Sequence, residues 1–147
     1  MNRELIHDLG ILVARLGVGF VLFAYGWQKL VIWGLPATAE TMGAGGVPLP
    51  TVSAYAATAI ELGAGAALIV GAAMPLAGLI AAANMAGAYL FVHMGTGVYT
   101  DEGGWGFVLV IGVSCLMLAA TGSGRFGVDP LVMSRFRDRP KAGVHST

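Results

Sequence analysis

Three side chains able to form ionic or amide hydrogen bonds lie inside apolar stretches of this sequence: Arg15, Glu61 and Asn84. A charge within a membrane-spanning helix costs roughly 2.5–3.5 kcal/mol on insertion scales, so such residues normally pair with one another. Counting ~1.5 Å per helical residue inward from His7 and from Ser53 places Arg15 and Glu61 ~12 Å from opposite faces of a ~30 Å hydrocarbon core. Asn84 falls in the same middle layer. Glu61 is therefore the predicted partner of Arg15.

This predicted buried cluster has two interpretations. It can be a structural tie that fixes how the helices dock, or it can be a proton path or a site for a polar ligand head group. The sequence leaves both open.

A second group of candidate residues lies at the outer ends of the apolar stretches: Lys29, His93, Glu102 and Trp105. Lys29 follows Arg15 by fourteen residues, which returns to the same face of a helix, with Gly19, Leu22 and Gly26 between them. One stripe of the first helix is therefore predicted to run from mid-membrane to the outer rim.

His93 is the histidine nearest this rim, and histidine is the side chain best suited to proton exchange near neutral pH. A surface histidine bonded to the loop carboxylates Asp101 and Glu102 is an equal alternative. These three residues lack a metal-ligand spacing, so no metal site is predicted. Asn84 and His93 are nine residues apart and fall on opposite faces of a straight helix, which argues against one narrow cavity containing both unless the helix end unwinds.

The composition identifies an integral membrane protein. The 147 residues are 56% hydrophobic and only 11% charged, and the mean hydropathy is +0.77. These values are outside the range of ordinary soluble domains. The predicted fold class is all-α, a four-helix transmembrane bundle, with spans at about residues 9–28, 53–71, 76–93 and 105–120.

The connections indicate the topology. Outer loops are predicted at residues 29–52 and 94–104, and Pro36 favours a short helix over Ala37–Met42 in the first of them. The link through Pro75 is short enough to require an antiparallel helical hairpin. Residues 122–147 are predicted to be a basic cytoplasmic tail whose glycines disfavour a strong helix. The excess of Arg and Lys beside the termini predicts that both lie in the cytoplasm, with the bundle in the cytoplasmic (inner) membrane.

Small residues fill the predicted spans and are expected to bring the helices close together. Ala59 with Gly63, and Ala82 with Ala86, have the small-xxx-small spacing of packed membrane helices. We expect these pairs to lie at helix interfaces.

Several kinds of redox chemistry have no signature in the sequence. The single cysteine, Cys115, excludes an internal disulfide and a dithiol couple. Two histidines at membrane depth, as a b-type haem would need, are absent, and no nucleotide-binding loop is present. The basic tail is typical of a topology signal or of lipid contact, and nucleic-acid binding is not predicted. No intrinsic cofactor is therefore predicted.

Several short motifs follow one another along the chain: Arg15-Leu-Gly17, Gly26-Trp-Gln-Lys29, Gly46-Val-Pro48-Leu-Pro50, Glu61-Leu-x-x-Gly65, His93, Gly103-Gly104-Trp105 and Gly122-Ser-Gly124-Arg125-Phe-Gly-Val-Asp129. These motifs span about residues 10 to 131, and their order resembles the DoxX family of small four-span membrane proteins. Gly127 stands where the family more often has serine.

The resemblance implies a link to quinone-dependent sulfur oxidation, because the family's name-giving members accompany a thiosulfate:quinone oxidoreductase or a terminal quinol oxidase. Two hypotheses follow. The chain is a subunit of a quinone-linked membrane oxidoreductase, binding quinone and exchanging protons through Glu61 or His93, with a partner subunit carrying the electrons. Alternatively, it is a non-catalytic anchor or assembly subunit of a larger membrane complex. A small-molecule carrier is disfavoured because inverted repeats are not evident. A homo-oligomer is left open.

Overall fold

The computed structural model of the protein describes residues 2–137 and is all-helical. Six α-helices follow one another: α1 (Arg3–Trp27), α2 (Leu35–Ala44), α3 (Pro50–Val70), α4 (Met74–Ala88), α5 (Gly106–Thr121) and α6 (Val128–Arg137). Two of them continue as π-helix, α1 through Gln28–Trp33 and α4 through Tyr89–His93. A single 3₁₀ turn, Thr100–Glu102, lies before α5.

Four apolar helices, α1, α3, α4 and α5, lie side by side as a bundle. Three continuous helices are long and apolar enough to cross a membrane: Arg3–Trp33, Pro50–Val70 and Met74–His93. The fourth, Gly106–Thr121, is apolar but shorter, with 16 residues. The protein is therefore a multi-pass membrane protein, and its first helix extends several residues beyond each end of the predicted span.

The chain alternates between the two ends of this bundle. One end, here called the terminus side, holds the start of α1, the α3–α4 link and the segment after α5. The other end, here called the loop side, holds α2 and the connection from α4 to α5. The short helix predicted over Ala37–Met42 is confirmed within α2, and the predicted α3–α4 hairpin is confirmed as well.

Proline and glycine set the helix boundaries. Pro36, Pro50 and Pro75 each lie in the first turn of a helix, where the missing amide hydrogen costs nothing. Gly71 ends α3 with φ of +73°, the left-handed conformation that glycine adopts without strain.

The tightest packing in the bundle is between α1 and α3 and between α4 and α5. A methyl group built on Gly65 would lie 2.7 Å from the Phe23 amide nitrogen and 2.9 Å from the Gly19 carbonyl oxygen. A methyl group on Gly78 would lie 2.6 Å from the Cys115 carbonyl oxygen. Glycine therefore lets the two helices of each pair touch backbone to backbone.

The small-residue spacings chosen from the sequence were wrong as guides to these interfaces. Ala59, Gly63 and Ala86 are exposed on the outside of the bundle, and only Ala82 of the four is buried. The interface glycines, Gly19 and Gly65, belong to different helices. Spacing within one helix does not reveal which face meets a partner when nearly every face is apolar or small.

Candidate functional site

An ion pair lies inside the loop-side half of the bundle. The Lys29 Nζ donates a hydrogen bond to Glu61 Oε2 at 2.6 Å, and the two side chains are only 13% and 6% exposed. Gly26 makes this approach possible, because a methyl group there would lie 3.0 Å from the Glu61 Cβ. The pairing neutralises two charges that would each be costly to bury alone.

The predicted pairing of Arg15 with Glu61 was therefore wrong. Glu61 pairs with Lys29, and Arg15 lies at the terminus side, where its Nη2 donates a hydrogen bond to the Phe126 carbonyl oxygen at 2.6 Å. The depth count assumed membrane edges at fixed residues. Close packing of Gly19 on Gly65 instead aligns Arg15 with Gly71, at the end of α3.

The predicted shared face of the first helix is confirmed, but its depth was wrong, because Arg15 lies at the terminus side and Lys29 inside the bundle. Arg15, Gly19, Leu22 and Gly26 are all buried along α1, and Lys29 continues the same face. This face meets α3 along its length. One helix face therefore carries two cations, one at each end of the bundle, with different surroundings.

Arg15 holds a non-helical segment against the terminus side. The segment from Gly122 to Gly127, here called the strap, turns back after α5 and leads into α6. Besides the Arg15 bond to Phe126, the amide of Arg125 donates to Asp8 Oδ1 at 3.3 Å. The Nε and Nη1 of Arg15 have no hydrogen-bond partner within residues 2–137.

Asp129, just after the strap, joins it to the α3–α4 link. Its carboxylate accepts hydrogen bonds from the amides of Ala73 at 2.7 Å and Met74 at 3.1 Å, at the start of α4. The amides of Val128 and Asp129 in turn donate to the Gly71 carbonyl oxygen. The glycine segment that was predicted to disfavour a strong helix is non-helical, and a helix follows it from Val128 to Arg137. The last ten residues of the predicted tail, 138–147, are outside the described residues.

A cavity of about 750 Å³ opens around the Lys29–Glu61 pair. All four bundle helices and α2 contribute to its walls, which are mostly apolar. This volume is typical of small-molecule sites, which are concave and apolar with a few polar groups that orient the ligand. The polar groups at mid-depth are Lys29, Glu61 and Asn84.

Asn84 and His93 both line this cavity, although a straight α-helix would point them in opposite directions. The sequence allowed a shared cavity only if the end of this helix departed from α-helical geometry, and Tyr89–His93 is π-helical. The wider turn of a π-helix rotates the residues that follow relative to an α-helix, and π-turns are frequent at functional sites. Asn84 shares the cavity wall with Glu61. The Nδ1 of His93 is 2.8 Å from the Gly103 carbonyl oxygen.

Glu102 and Trp105 do not line the cavity. Glu102 is exposed in the 3₁₀ turn, beside Asp101. Trp105 is half-buried and packs edge-on against Tyr89, with ring centroids 6.2 Å apart. These two predicted residues therefore support the loop side without facing the Lys29–Glu61 pair. Within residues 2–137, no group of three or more His, Cys, Asp or Glu side chains is placed to hold a metal ion.

Two cavity residues were missed by sequence reasoning. Tyr25 lies with its ring centroid 5.6 Å from Lys29 Nζ and 5.3 Å from the Phe107 ring. Buried Thr38 on α2 donates hydrogen bonds to the carbonyl oxygens of Gly34 at 3.0 Å and Lys29 at 3.5 Å. The spacing of Tyr25 and Lys29, four residues apart on one helix, was a signal for the first contact. No local pattern marks Thr38.

Comparison with known proteins agrees with this architecture. The DoxX family model matches residues 10–94. Over 132 residues, 90% of this chain and 92% of the relative, the sequence is 30% identical to "Putative oxidoreductase CatD" of Bacillus subtilis (strain 168). No solved structure matches. The family model covers more than half of the chain and includes both members of the buried ion pair, Lys29 and Glu61. The chain belongs to the DoxX family.

Proposed function

We propose that this protein is an integral membrane subunit of a quinone-linked oxidoreductase system, and that the loop-side cavity binds the quinone ring. The observation that carries the proposal is the Lys29–Glu61 pair inside a largely apolar cavity of about 750 Å³. The relative's name, which contains the word oxidoreductase, supports the same class of function.

The residues of the cavity fit a quinone. A quinone is an apolar ring with two carbonyl oxygens that accept hydrogen bonds, and Lys29 and Asn84 are donors on the cavity wall. Exposed apolar residues also line the cavity, among them Tyr25, Ile80 and Phe91. They give a lipid-soluble ligand a way in from the bilayer.

The chemistry of a bound quinone couples electrons to protons, so acid–base groups beside the ring are needed. Glu61 is the group placed to give and take the proton, and Lys29 stabilises its carboxylate while that proton is away. Asn84 orients the ring, and His93 lies at the rim, where it can pass protons to water. With one cysteine and no dithiol couple, the chain needs a partner subunit for electrons.

The alternative is a non-catalytic anchor or assembly subunit of a larger membrane complex. The strap favours it, because Arg15 and Asp129 serve only to hold the chain's own backbone. In that case Lys29 and Glu61 are a second structural tie.

Localisation and partners complete the proposal. The positive residues beside the termini support a cytoplasmic terminus side and a bundle in the inner membrane. Lipid surrounds the bundle, other redox subunits are its expected partners, and a homo-oligomer stays open. The orientation can be tested with a reporter enzyme that is active only outside the cytoplasm. Fused after residue 147, this reporter should show no activity.

Quinone binding can be tested on the purified protein. An organic extract should contain a lipophilic quinone, and a short-chain benzoquinone should quench tryptophan fluorescence, since Trp33 lines the cavity. We expect Lys29→Met and Asn84→Leu each to weaken binding about tenfold, the loss of one good hydrogen bond at ~1.4 kcal/mol. Glu40→Gln, at an exposed carboxylate on α2, is the control and should bind normally. An extract without quinone, together with equal titrations for all variants, would favour the anchor.

A further inference from the structure

The polar groups of the cavity are distributed unevenly along the bundle axis. Between the Lys29–Glu61 pair and the loop side, the cavity wall carries hydroxyl and imidazole groups: Thr38, Thr41, Ser53, His93 and Thr100. Thr41 and Thr100 are exposed, so this wall reaches the protein surface. Hydrogen-bonding groups that continue to the surface can hold a chain of water molecules.

The opposite end of the cavity is closed by apolar side chains. Leu22 and Ile111 line it there and are 2% and 7% exposed. Further toward the terminus side, Leu68, Met74, Cys115 and Leu118 are almost completely buried. On α1, Leu22 and Arg15 are seven residues apart, which is ~10 Å along the helix axis. The buried face of the helix carries no polar side chain between them.

Below this apolar layer the terminus side is closed a second time by the strap. Arg15 binds the strap at Phe126, and the Gly71 carbonyl oxygen accepts hydrogen bonds from Val128 and Asp129 just after it. The strap residue Ser123 is only 5% exposed. The lateral opening past Tyr25, Ile80 and Phe91 faces lipid, which admits apolar molecules and excludes ions.

We propose that water and protons reach the Lys29–Glu61 pair from the loop side only. The titratable and polar groups that face the pair are Tyr25 on its own helix, Asn84 on α4 and His93 at the rim. All of them lie at the level of the pair or nearer the loop side. If the proposed function holds, every proton taken up or released at this site is exchanged with the loop-side solution.

Cysteine labelling tests the access route in oriented membrane vesicles. In a Cys115→Ala background, Ala88→Cys places a thiol on the cavity wall, one turn from Asn84 toward the loop side. Ala81→Cys is the matched control, because the residue is seven positions earlier on the same face of α4 and is fully buried. His7→Cys, exposed at the terminus side, reports that reagent reaches that side.

With a membrane-impermeant methanethiosulfonate, we expect Ala88→Cys to react at least tenfold faster from the loop side, and Ala81→Cys to react from neither side. Ala57→Cys, on the α3 wall of the cavity, is the second position if Ala88→Cys does not fold. Reaction of a cavity cysteine from the terminus side at a similar rate, or reaction of neither cavity cysteine from either side, would overturn the proposal.

The labelling result and the quinone-binding result test the two proposals independently. One-sided labelling in a protein that binds no quinone would overturn the proposed function and leave the access route standing. Two-sided labelling in a protein that binds quinone would overturn the access route and leave the proposed function in place.

Discussion

The Lys29 ammonium lies 2.6 Å from the Glu61 carboxylate, between two helices that touch along a row of glycines. The pair is thus held by the same α1–α3 contact that forms the tightest seam of the bundle. Its geometry depends on packing as much as on charge.

Removing one member of this pair should destabilise the protein more than removing both. A lone buried charge left by Lys29→Met or Glu61→Leu costs about 3–5 kcal/mol when fully buried, and we expect the lower end here because Lys29 is 13% exposed. The double variant should recover at least half of the loss. Thermal unfolding in mild detergent measures the stability of the two single variants and of the double variant, with Glu40→Gln at an exposed position as the control. Additive losses in the double variant would contradict a direct coupling.

The α1–α3 seam should tolerate no side chain at Gly65. In Gly65→Ala the new methyl group meets the Phe23 amide at 2.7 Å, and backbone cannot move aside cheaply, so we expect a loss of about 1–3 kcal/mol in stability. Gly63→Ala, two residues earlier on the same helix, meets nothing within 4 Å. It should be neutral or stabilising by up to about 1 kcal/mol because alanine is the better helix former. Equal melting temperatures for the two variants would refute the close approach.

Arg15 should control the release of the strap. Arg15→Met keeps an unbranched side chain but loses the hydrogen bond to the Phe126 carbonyl oxygen, and such charged bonds contribute about 1.5–3 kcal/mol. If opening is fast, trypsin should cleave after Arg125 about tenfold faster or more. Arg3→Met, an exposed residue on the same side, serves as the control. An unchanged cleavage rate in Arg15→Met would show that other contacts hold the strap.

Cys115 should be inert in the folded protein. Its side chain is completely buried among the core residues, against the close contact of α5 with Gly78. A small thiol reagent should therefore label the native protein at most at a few per cent of the rate seen after denaturation in SDS. Rapid labelling of the native protein would indicate that the α4–α5 seam opens.

The prediction of four bundle helices and a short loop helix was close to the structure because these features depend on local composition. A run of ~20 apolar residues has few alternatives to a membrane helix, since lipid satisfies no backbone hydrogen bonds. Pro36 marked α2, because the missing amide hydrogen of proline costs nothing in the first turn of a helix. The stripe from Arg15 to Lys29 was predictable because helical periodicity is set by the backbone alone.

The partners of the charged residues were less predictable. Arg15, Glu61 and Asn84 were grouped by counted depth, yet the strap returns from more than a hundred residues away to take Arg15. Whether His93 shares a cavity with Asn84 depended on a π-helical turn, which cannot be read from residue types. A contact distant in the sequence decided the first case, and a local change of helix geometry decided the second.

The sequence by itself determined that this is a helical membrane protein of the DoxX type, that Arg15 and Glu61 are buried at a cost, and that one face of the first helix carries two cations. The tertiary structure alone decided which carboxylate neutralises which cation. The physical reason is that helix register in a bundle is set by backbone contacts such as Gly19 on Gly65, and these contacts select Lys29 over Arg15 as the partner of Glu61.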